Sequence, residues 1–250
     1  MELNNLIASN SLVDIYQNGD TVVKLFKEDL PKTNALYESL THARVESTGL
    51  PVPKIKEVSV IDGRWAIHMD YIKGKTLADL MKEDPKNASE YIEKFIDLQL
   101  LVHAQTTPKL SKLKDKLSRQ INSLTCIDAI KRYDLLTRLD SKPKHTKLCH
   151  GNFTPENIIV NDGKTYIVDW MHARQGNASA DVGRTYLLLN LQHPEIADEY
   201  LDLFCQKTAT SKRYVQEWLP IVAAAQLIMN PVSENERDLL MQWIDVVEYE

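Results

Sequence analysis

The chain has 250 residues, 43% of them apolar and 26% charged, with a formal net charge of −5. That length is enough to bury a core, the composition excludes a disordered chain, and the net charge argues against a dedicated nucleic-acid binder. Cys126, Cys149 and Cys205 are scattered and odd in number, which gives neither a disulfide framework nor a metal-type spacing and fits a reducing cytoplasm. The N-terminus, MELNNLIASN, does not read as a signal peptide. The longest apolar stretch, around Leu219 to Met229, is too short to span a bilayer, so no membrane association is expected.

The first seventy or so residues read mostly as strands. Leu12, Ile15, Val22, Val23, Leu25 and Phe26 lie in short β-rich runs broken at Asn18-Gly19-Asp20, a hairpin signal. From Lys32 to Ser47 the apolar positions Ala35, Leu36, Leu40, Ala43 and Val45 recur at helical spacing, and Gly49, Pro51 and Pro53 end that helix. Lys54 to Val60 and Arg64 to Tyr71 read as two strands joined across Asp62-Gly63. Beyond Gly74 the pattern turns helical. Thr76 is an N-cap for a helix through Met81, and Ala88 to Gln105 carries a broad apolar stripe through Ile92, Phe95, Ile96, Leu98 and Val102. Further helices are expected over Leu110 to Leu124 and Asp128 to Leu139. Short strands follow within Lys147 to Asp169, around a turn at Asn161-Asp162-Gly163. The remainder reads as helices near Val182–Leu191, Pro194–Lys207, Lys212–Met229 and Glu234–Val247. A small mixed lobe thus precedes a larger helical one, an α+β arrangement with the join near Met69 to Gly74.

Chemistry concentrates in one stretch. The polar loop His150-Gly151-Asn152-Phe153-Thr154-Pro155-Glu156-Asn157 leads into Ile158-Ile159-Val160, a turn, and Tyr166-Ile167-Val168-Asp169-Trp170. An Asn and an Asp held close by a hairpin can share a Mg2+ with nucleotide phosphates, because phosphoryl transfer depends on positioning and charge neutralisation. Taken singly, Asn157 caps a turn and Asp169 ends a strand.

The stretch resembles the catalytic and metal-binding loops of the aminoglycoside phosphotransferase and choline kinase families, relatives of the protein kinases. Their pattern is His-Gly-Asp, four residues, Asn, and then Ile-Asp-Trp about a dozen residues later; His150, Gly151, Asn157, Asp169 and Trp170 match it. Gln175-Gly176-Asn177-Ala178-Ser179-Ala180-Asp181 is similar to the continuation, in which an Asp at the place of Asp181 braces the loop. Val22 to Lys27 resembles the strand bearing the phosphate-binding Lys. Glu38 stands where that Lys finds its ion-pair partner, with Glu46 a less suitable candidate. Met69 to Leu77 resembles the hinge, and Leu101-Val102-His103 a helix end of the family.

The resemblance implies a bilobal protein-kinase-like fold. Residues 1–71 would be a nucleotide-covering antiparallel sheet with one helix, and residues 72–250 a mainly helical lobe with the catalytic and metal-binding loops. The implied function is ATP-dependent transfer of the γ-phosphoryl group to a hydroxyl of a small molecule. ATP (or GTP) and Mg2+ would be the cofactors. Lys24 and Glu38, with Ser9, Asn10, Met69 and Tyr71, would bind nucleotide; Asn157 and Asp169 would hold metal; and Asn152, Asn157 and Asp169 would form the catalytic set. His103 and His150 would support loops. Acidic residues after Asp181 (Glu195, Asp198, Glu199 and Asp202) would favour an amine-bearing acceptor, or else simply solvate a helix face.

Two departures bear on turnover. Asn152 stands where the family has the Asp that accepts the acceptor's proton, and an amide is not a base at neutral pH. The turn Ile7-Ala8-Ser9-Asn10-Ser11-Leu12 has none of the glycines that let backbone approach phosphates. Together they define the alternative, a pseudokinase that binds a nucleotide or metabolite with weak or no turnover.

Overall fold

The computed structural model describes residues 3–228 and 233–246; Met229 and Val247, where two expected helices end, lie outside them. In chain order the strands are β1 (Asn5–Ser9), β2 (Val13–Asn18), β3 (Thr21–Phe26), β4 (Ile55–Ile61), β5 (Arg64–Asp70), β6 (Lys75–Thr76), β7 (Lys147–Cys149), β8 (Ile158–Asn161), β9 (Lys164–Ile167) and β10 (Arg174–Gly176). The helices are α1 (Lys32–Glu46), α2 (Leu77–Glu83), α3 (Ala88–His103), α4 (Leu113–Ser123), α5 (Ala129–Ser141), α6 (Ala178–Gln192), α7 (Pro194–Thr208), α8 (Lys212–Gln216), α9 (Leu219–Gln226) and α10 (Glu234–Asp245).

Packing groups the chain into two compact units, Met1–Asp84 with Pro155–Ala173, and Pro85–Thr154 with Arg174–Glu250. The hairpin after the polar loop therefore packs with the N-terminal strands.

In the first unit, five strands form an antiparallel sheet in the order β1-β2-β3-β5-β4. Side chains alternate across β3: Val23 and Leu25 join Ala66 in one apolar cluster, whereas Phe26 joins Val13, Ala35 and Ile67 in another. Lys24 shares the Phe26 face, the one that meets Ala35 of α1. The turns at Asp62-Gly63 and Asp162-Gly163 both hold two consecutive residues at positive φ, the geometry whose twist suits tight hairpins. A second sheet, β6-β8-β9, was not foreseen at β6, a two-residue strand too short to leave a periodic trace.

Helix α1 corrects the expected apolar face. Leu36 and Leu40 are exposed, and the inward face is Ala35, Glu38, Thr41, His42 and Val45. Polar groups can occupy it because they are partnered: Glu38 meets Lys24, and His42 Nε2 lies 2.6 Å from the Pro53 carbonyl oxygen. Thr76 caps α2 in a reciprocal box with Asp79.

In the second unit, a core built from Leu117, Ile121, Leu135, Leu187, Trp218, Ile221 and their neighbours joins α4, α5, α6, α9 and α10. The continuous helix expected from Lys212 is broken between α8 and α9. Pro220 lacks an N–H and its ring clashes with the carbonyl four residues back, so it is accommodated in the first turn of a new helix. Strands β7 and β10 pair antiparallel, with Cys149 opposite Arg174 and Lys147 opposite Gly176. Among the described residues no helix is long and apolar enough to cross a membrane.

Candidate active site

In the first unit the sheet and α1 deliver a buried charge cluster. Lys24, on β3 between Ile15 and Ile67, places Nζ 2.6 Å from Glu38 Oε1 and 3.6 Å from Asp169 Oδ1. Lys24 and Glu38 are buried, at 9% and 5% exposure, and Glu38 Oε2 is enclosed with no hydrogen-bond partner. Burial pulls the ammonium's pKa down, but Glu38 and Asp169 outweigh it, so Lys24 lies above the ordinary lysine value and is charged. Glu46 is engaged elsewhere, accepting from the Ile55 amide at 2.9 Å.

Asp169 reaches this cluster through an unusual backbone. It follows β9 with φ 62° and ψ 60°, left-handed for a non-glycine residue, and such strain persists only where the surroundings enforce it. Enforcement comes from both sides: Ile167 N donates to the Pro51 carbonyl at 2.8 Å, and buried Trp170 returns its indole N–H to the Ile167 carbonyl at 2.9 Å. Asn157 ends the short 3-10 turn before β8, and its carbonyl accepts from Val168 N at 2.9 Å, which sets it across the hairpin from the residue preceding Asp169.

No group of three or more His, Cys, Asp or Glu side chains able to hold a metal occurs among the described residues. The donors on offer, an amide oxygen and a carboxylate, suit a hard cation that takes its remaining ligands from phosphate and water.

The remaining first-unit candidates lie in other networks. Ser9 Oγ donates to Asp14 Oδ1 at 2.6 Å, and Asn10 Oδ1 accepts from the Leu12 and Val13 amides at 2.8 and 2.9 Å. These bonds shape the glycine-free turn. Asp14 also takes Lys27 at 2.5 Å and Arg64 at 2.7 Å, and these donors, Lys27 foremost, hold its carboxyl far below the usual range. Met69 lies in β5 opposite Val22 and Ile55, and Tyr71 N donates to the Asp20 carbonyl at 3.0 Å.

In the second unit, the loop carrying Asn152 is braced from α6. Asp181 accepts the His150 amide at 3.0 Å, the Gly151 amide at 2.7 Å and His103 Nε2 at 3.0 Å. Burial opposes its ionisation, but His103 and the amides outweigh burial, so Asp181 titrates below the usual carboxylate value. Gly151 holds φ 77°, which a side chain would strain. The Gly151 carbonyl accepts a hydrogen bond from Arg184 Nε. Asn152 N donates to His150 Nδ1 at 3.2 Å, and Phe153 stacks on Phe95 of α3 at 4.7 Å between centroids.

Arg184 escaped the sequence reading; its one signal was its place one helical turn after Asp181. Glu195, Asp198, Glu199 and Asp202 lie on the exposed side of α7, where Asp198 accepts from Tyr186 and Asp202 pairs with Lys212.

With this geometry in view, residues 4–218 match the phosphotransferase enzyme family. The chain belongs to that family. No curated protein sequence gives a significant match. Among solved structures, aminoglycoside phosphotransferase APH(4)-Ia is 15% identical with a TM-score of 0.70, over 96% of this chain and 90% of its own. A choline/ethanolamine kinase family protein from Mesorhizobium loti is 15% identical with a TM-score of 0.63, over 99% and 89%. Amicoumacin kinase hAmiN, in complex with AMP-PNP, Ca2+ and Ami, is 12% identical with a TM-score of 0.63, over 96% and 86%. The fold is therefore protein-kinase-like: an antiparallel-sheet N-terminal region and a helical C-terminal part.

Proposed function

We propose that this family member transfers the γ-phosphoryl group of ATP (or GTP) to a hydroxyl of a small molecule in the cytoplasm. The observation that carries the reading is the buried Lys24–Glu38 pair with Asp169 strained toward it. A lysine held charged and rigid is a phosphate ligand in waiting, and Glu38 sets its direction. Asn157 and Asp169 are the residues to hold Mg2+, which would neutralise charge on the phosphates. The backbone around Met69 and Tyr71 would meet the base, and the turn at Ser9 and Asn10 would cover the phosphates. Residues 1–71 act as the nucleotide-covering lobe and residues 72–250 as the lobe with the catalytic loops. That hAmiN was solved with AMP-PNP supports a nucleotide here.

Asn152 orients the acceptor hydroxyl by accepting its hydrogen bond, and the proton leaves to water. This costs the general-base contribution, about 10²–10⁴-fold, while positioning and charge neutralisation remain. Family membership speaks for transfer over the pseudokinase alternative.

Titration calorimetry with ATP and Mg2+, on the native chain and on Lys24→Met, tests the reading. Binding by the native chain and its loss in the variant are expected; no binding by the native chain sinks the proposal. Binding without ADP release, over a panel of hydroxylated metabolites, returns the pseudokinase.

A further inference from the structure

Charge is unevenly spread along this chain. Residues 109–147, which span α4, α5 and their flanks, carry eleven lysines and arginines against four acidic residues, a balance of +7. With a net charge of −5, the rest of the chain carries −12. Several of these cations line a cavity in the second unit.

The cavity measures about 640 Å³, inside the range of about 300–1,000 Å³ that small-molecule sites occupy. It is bounded by the first turns of α4, the last turns of α5, residues 143–146 and the junction of β10 with α6. Among the described residues, none of residues 150–157 lines it. The three residues of β7, about 10 Å of strand, stand between the two, so a hydroxyl held at Asn152 has its place elsewhere.

The walls are fixed by contacts within the unit. Gly176 lets β10 run close against α4, since a Cβ there would stand 2.6 Å from Leu113 Cβ. Gln175 N donates to the Ser111 carbonyl at 3.1 Å, and its Nε2 donates to the Pro108 carbonyl at 3.0 Å. Lys114 Nζ donates to the Asp140 and Lys142 carbonyls at 2.9 and 3.0 Å, which ties α4 to the end of α5. Asn177 accepts from Ser179 N at 2.9 Å and donates to the Tyr214 hydroxyl at 2.8 Å. A preformed wall spares a ligand the cost of ordering it.

The lining chemistry selects the ligand. Leu136, Leu139 and Pro143 supply an apolar surface. Of the charged groups, Lys114 is taken up by α5, with Asp140 Oδ1 4.0 Å away in addition to the two carbonyls. Asp115 stands in the first turn of α4, where the helix dipole itself favours a carboxylate. Lys112 and Lys144 are left: neither forms an ion pair with any of the described residues. His145, next to Lys144, adds a ring N–H to the lining. Two ammonium groups without a carboxylate, beside an apolar surface, complement an oxyanion on an apolar body. A cationic ligand would meet the same lysines as repulsion.

We propose that this cavity binds a small organic anion, a carboxylate or phosphate ester with an apolar body, through Lys112 and Lys144. The site is separate from the loop around Asn152 and stands whether or not the chain is a phosphotransferase.

The probe is 8-anilinonaphthalene-1-sulfonate, a sulfonate on an apolar body whose fluorescence rises away from water. N-phenyl-1-naphthylamine, the same body without the sulfonate, is the neutral control. Both are titrated against the native chain, Lys112→Glu/Lys144→Glu, Ser118→Trp and Lys82→Glu/Lys86→Glu. Ser118 lines the cavity, so an indole there fills it; Lys82 and Lys86 are exposed, lie outside it and carry the same change of charge. The expected result is saturable binding of one sulfonate per native chain, unchanged by Mg2+ and ATP and about tenfold or more tighter than the neutral control. Affinity is expected to fall about tenfold or more in Lys112→Glu/Lys144→Glu and in Ser118→Trp, but not in Lys82→Glu/Lys86→Glu.

Binding that survives both cavity variants, weakens equally in Lys82→Glu/Lys86→Glu, is displaced by Mg2+ and ATP, or is matched by the neutral control overturns the proposal. So does the absence of saturable binding by the native chain. Lys112 and Lys144 are exposed, so their double variant is expected to fold and decides the test alone if thermal melts show that Ser118→Trp does not. Competition with 1-naphthoate and 1-naphthyl phosphate then distinguishes carboxylate from phosphate ester; displacement by at least one is expected, and displacement by neither overturns the proposal.

Discussion

Replacing Lys24 with Met separates what the ion pair does for stability from what it does for the ligand. The substitution leaves Glu38 buried with its nearest counter-charge gone and Oε2 already without a partner. Of the two carboxylates, Glu38 dominates: it is closer, at 2.6 against 3.6 Å, and its side chain is 7% exposed against 26% for Asp169. Removing one partner of a buried pair costs about 3–5 kcal/mol. At roughly 2–4 °C per kcal/mol for a chain of this size, Tm falls by about 6–20 °C. The double variant Lys24→Met/Glu38→Leu removes the stranded carboxylate and recovers most of that loss, because an apolar pair of similar volume tolerates burial. ATP binding, read by calorimetry, does not return. Lys24 has a raised folded pKa, so its contribution is fully present below the ordinary value of 10.5 and is lost only as pH rises through the higher folded value. The deficit of Lys24→Met is accordingly flat across roughly pH 6–9. A single variant within about 1 kcal/mol of the native chain, or a double variant no more stable than the single, would refute the reasoning.

Asn152→Asp restores a base and is expected to raise kcat by about 10²–10⁴-fold; steady-state kinetics with unchanged kcat would remove Asn152 from the reacting oxygen. Asp181→Asn loses an ionised acceptor serving two amides and His103, and is expected to cost about 3 kcal/mol in thermal melts. Because Asp181 titrates below 3.8 when folded, that difference is full above the unfolded value and shrinks as pH falls through the folded one; a difference that grows in acid contradicts the assignment. Gly176→Ala forces a methyl against Leu113 and is expected to destabilise by about 1–3 kcal/mol, with an unchanged Tm counting against the close approach of α4 and β10. Iodoacetamide is expected to label exposed Cys126 in the native protein but not Cys149, whose thiol is pushed well up by burial; mass spectrometry of the native digest checks both.

What sequence could reveal depended on whether the determining contact was local. Hairpins at Asp62-Gly63 and Asp162-Gly163 were legible because two residues with the right torsional freedom fix the turn. The cap at Thr76 was legible for the same reason. Helix α1 was legible as a helix but not by its face: apolar spacing pointed to Leu36 and Leu40, whereas the sheet selects the side bearing Glu38 and His42. Burial there follows from partners on β3 and after α1, which no window of the helix contains. Strands β6 and β10 have two and three residues and owe their existence to β8 and β7.

The same distinction bears on Asn152. Along the sequence it stands as a loss, an amide where the resembled families keep a base. His103, Asp181 and Arg184 stand on α3 and α6, outside any sequence window around the loop. Only the bonds from the His150 and Gly151 amides to Asp181, and from Arg184 to the Gly151 carbonyl, show that the loop is braced from α6. The change at position 152 thus removes a base while the bonds that hold the loop around it are kept. Asn152→Asp should therefore raise kcat without lowering Tm, a pairing that a loop degraded as a whole does not predict.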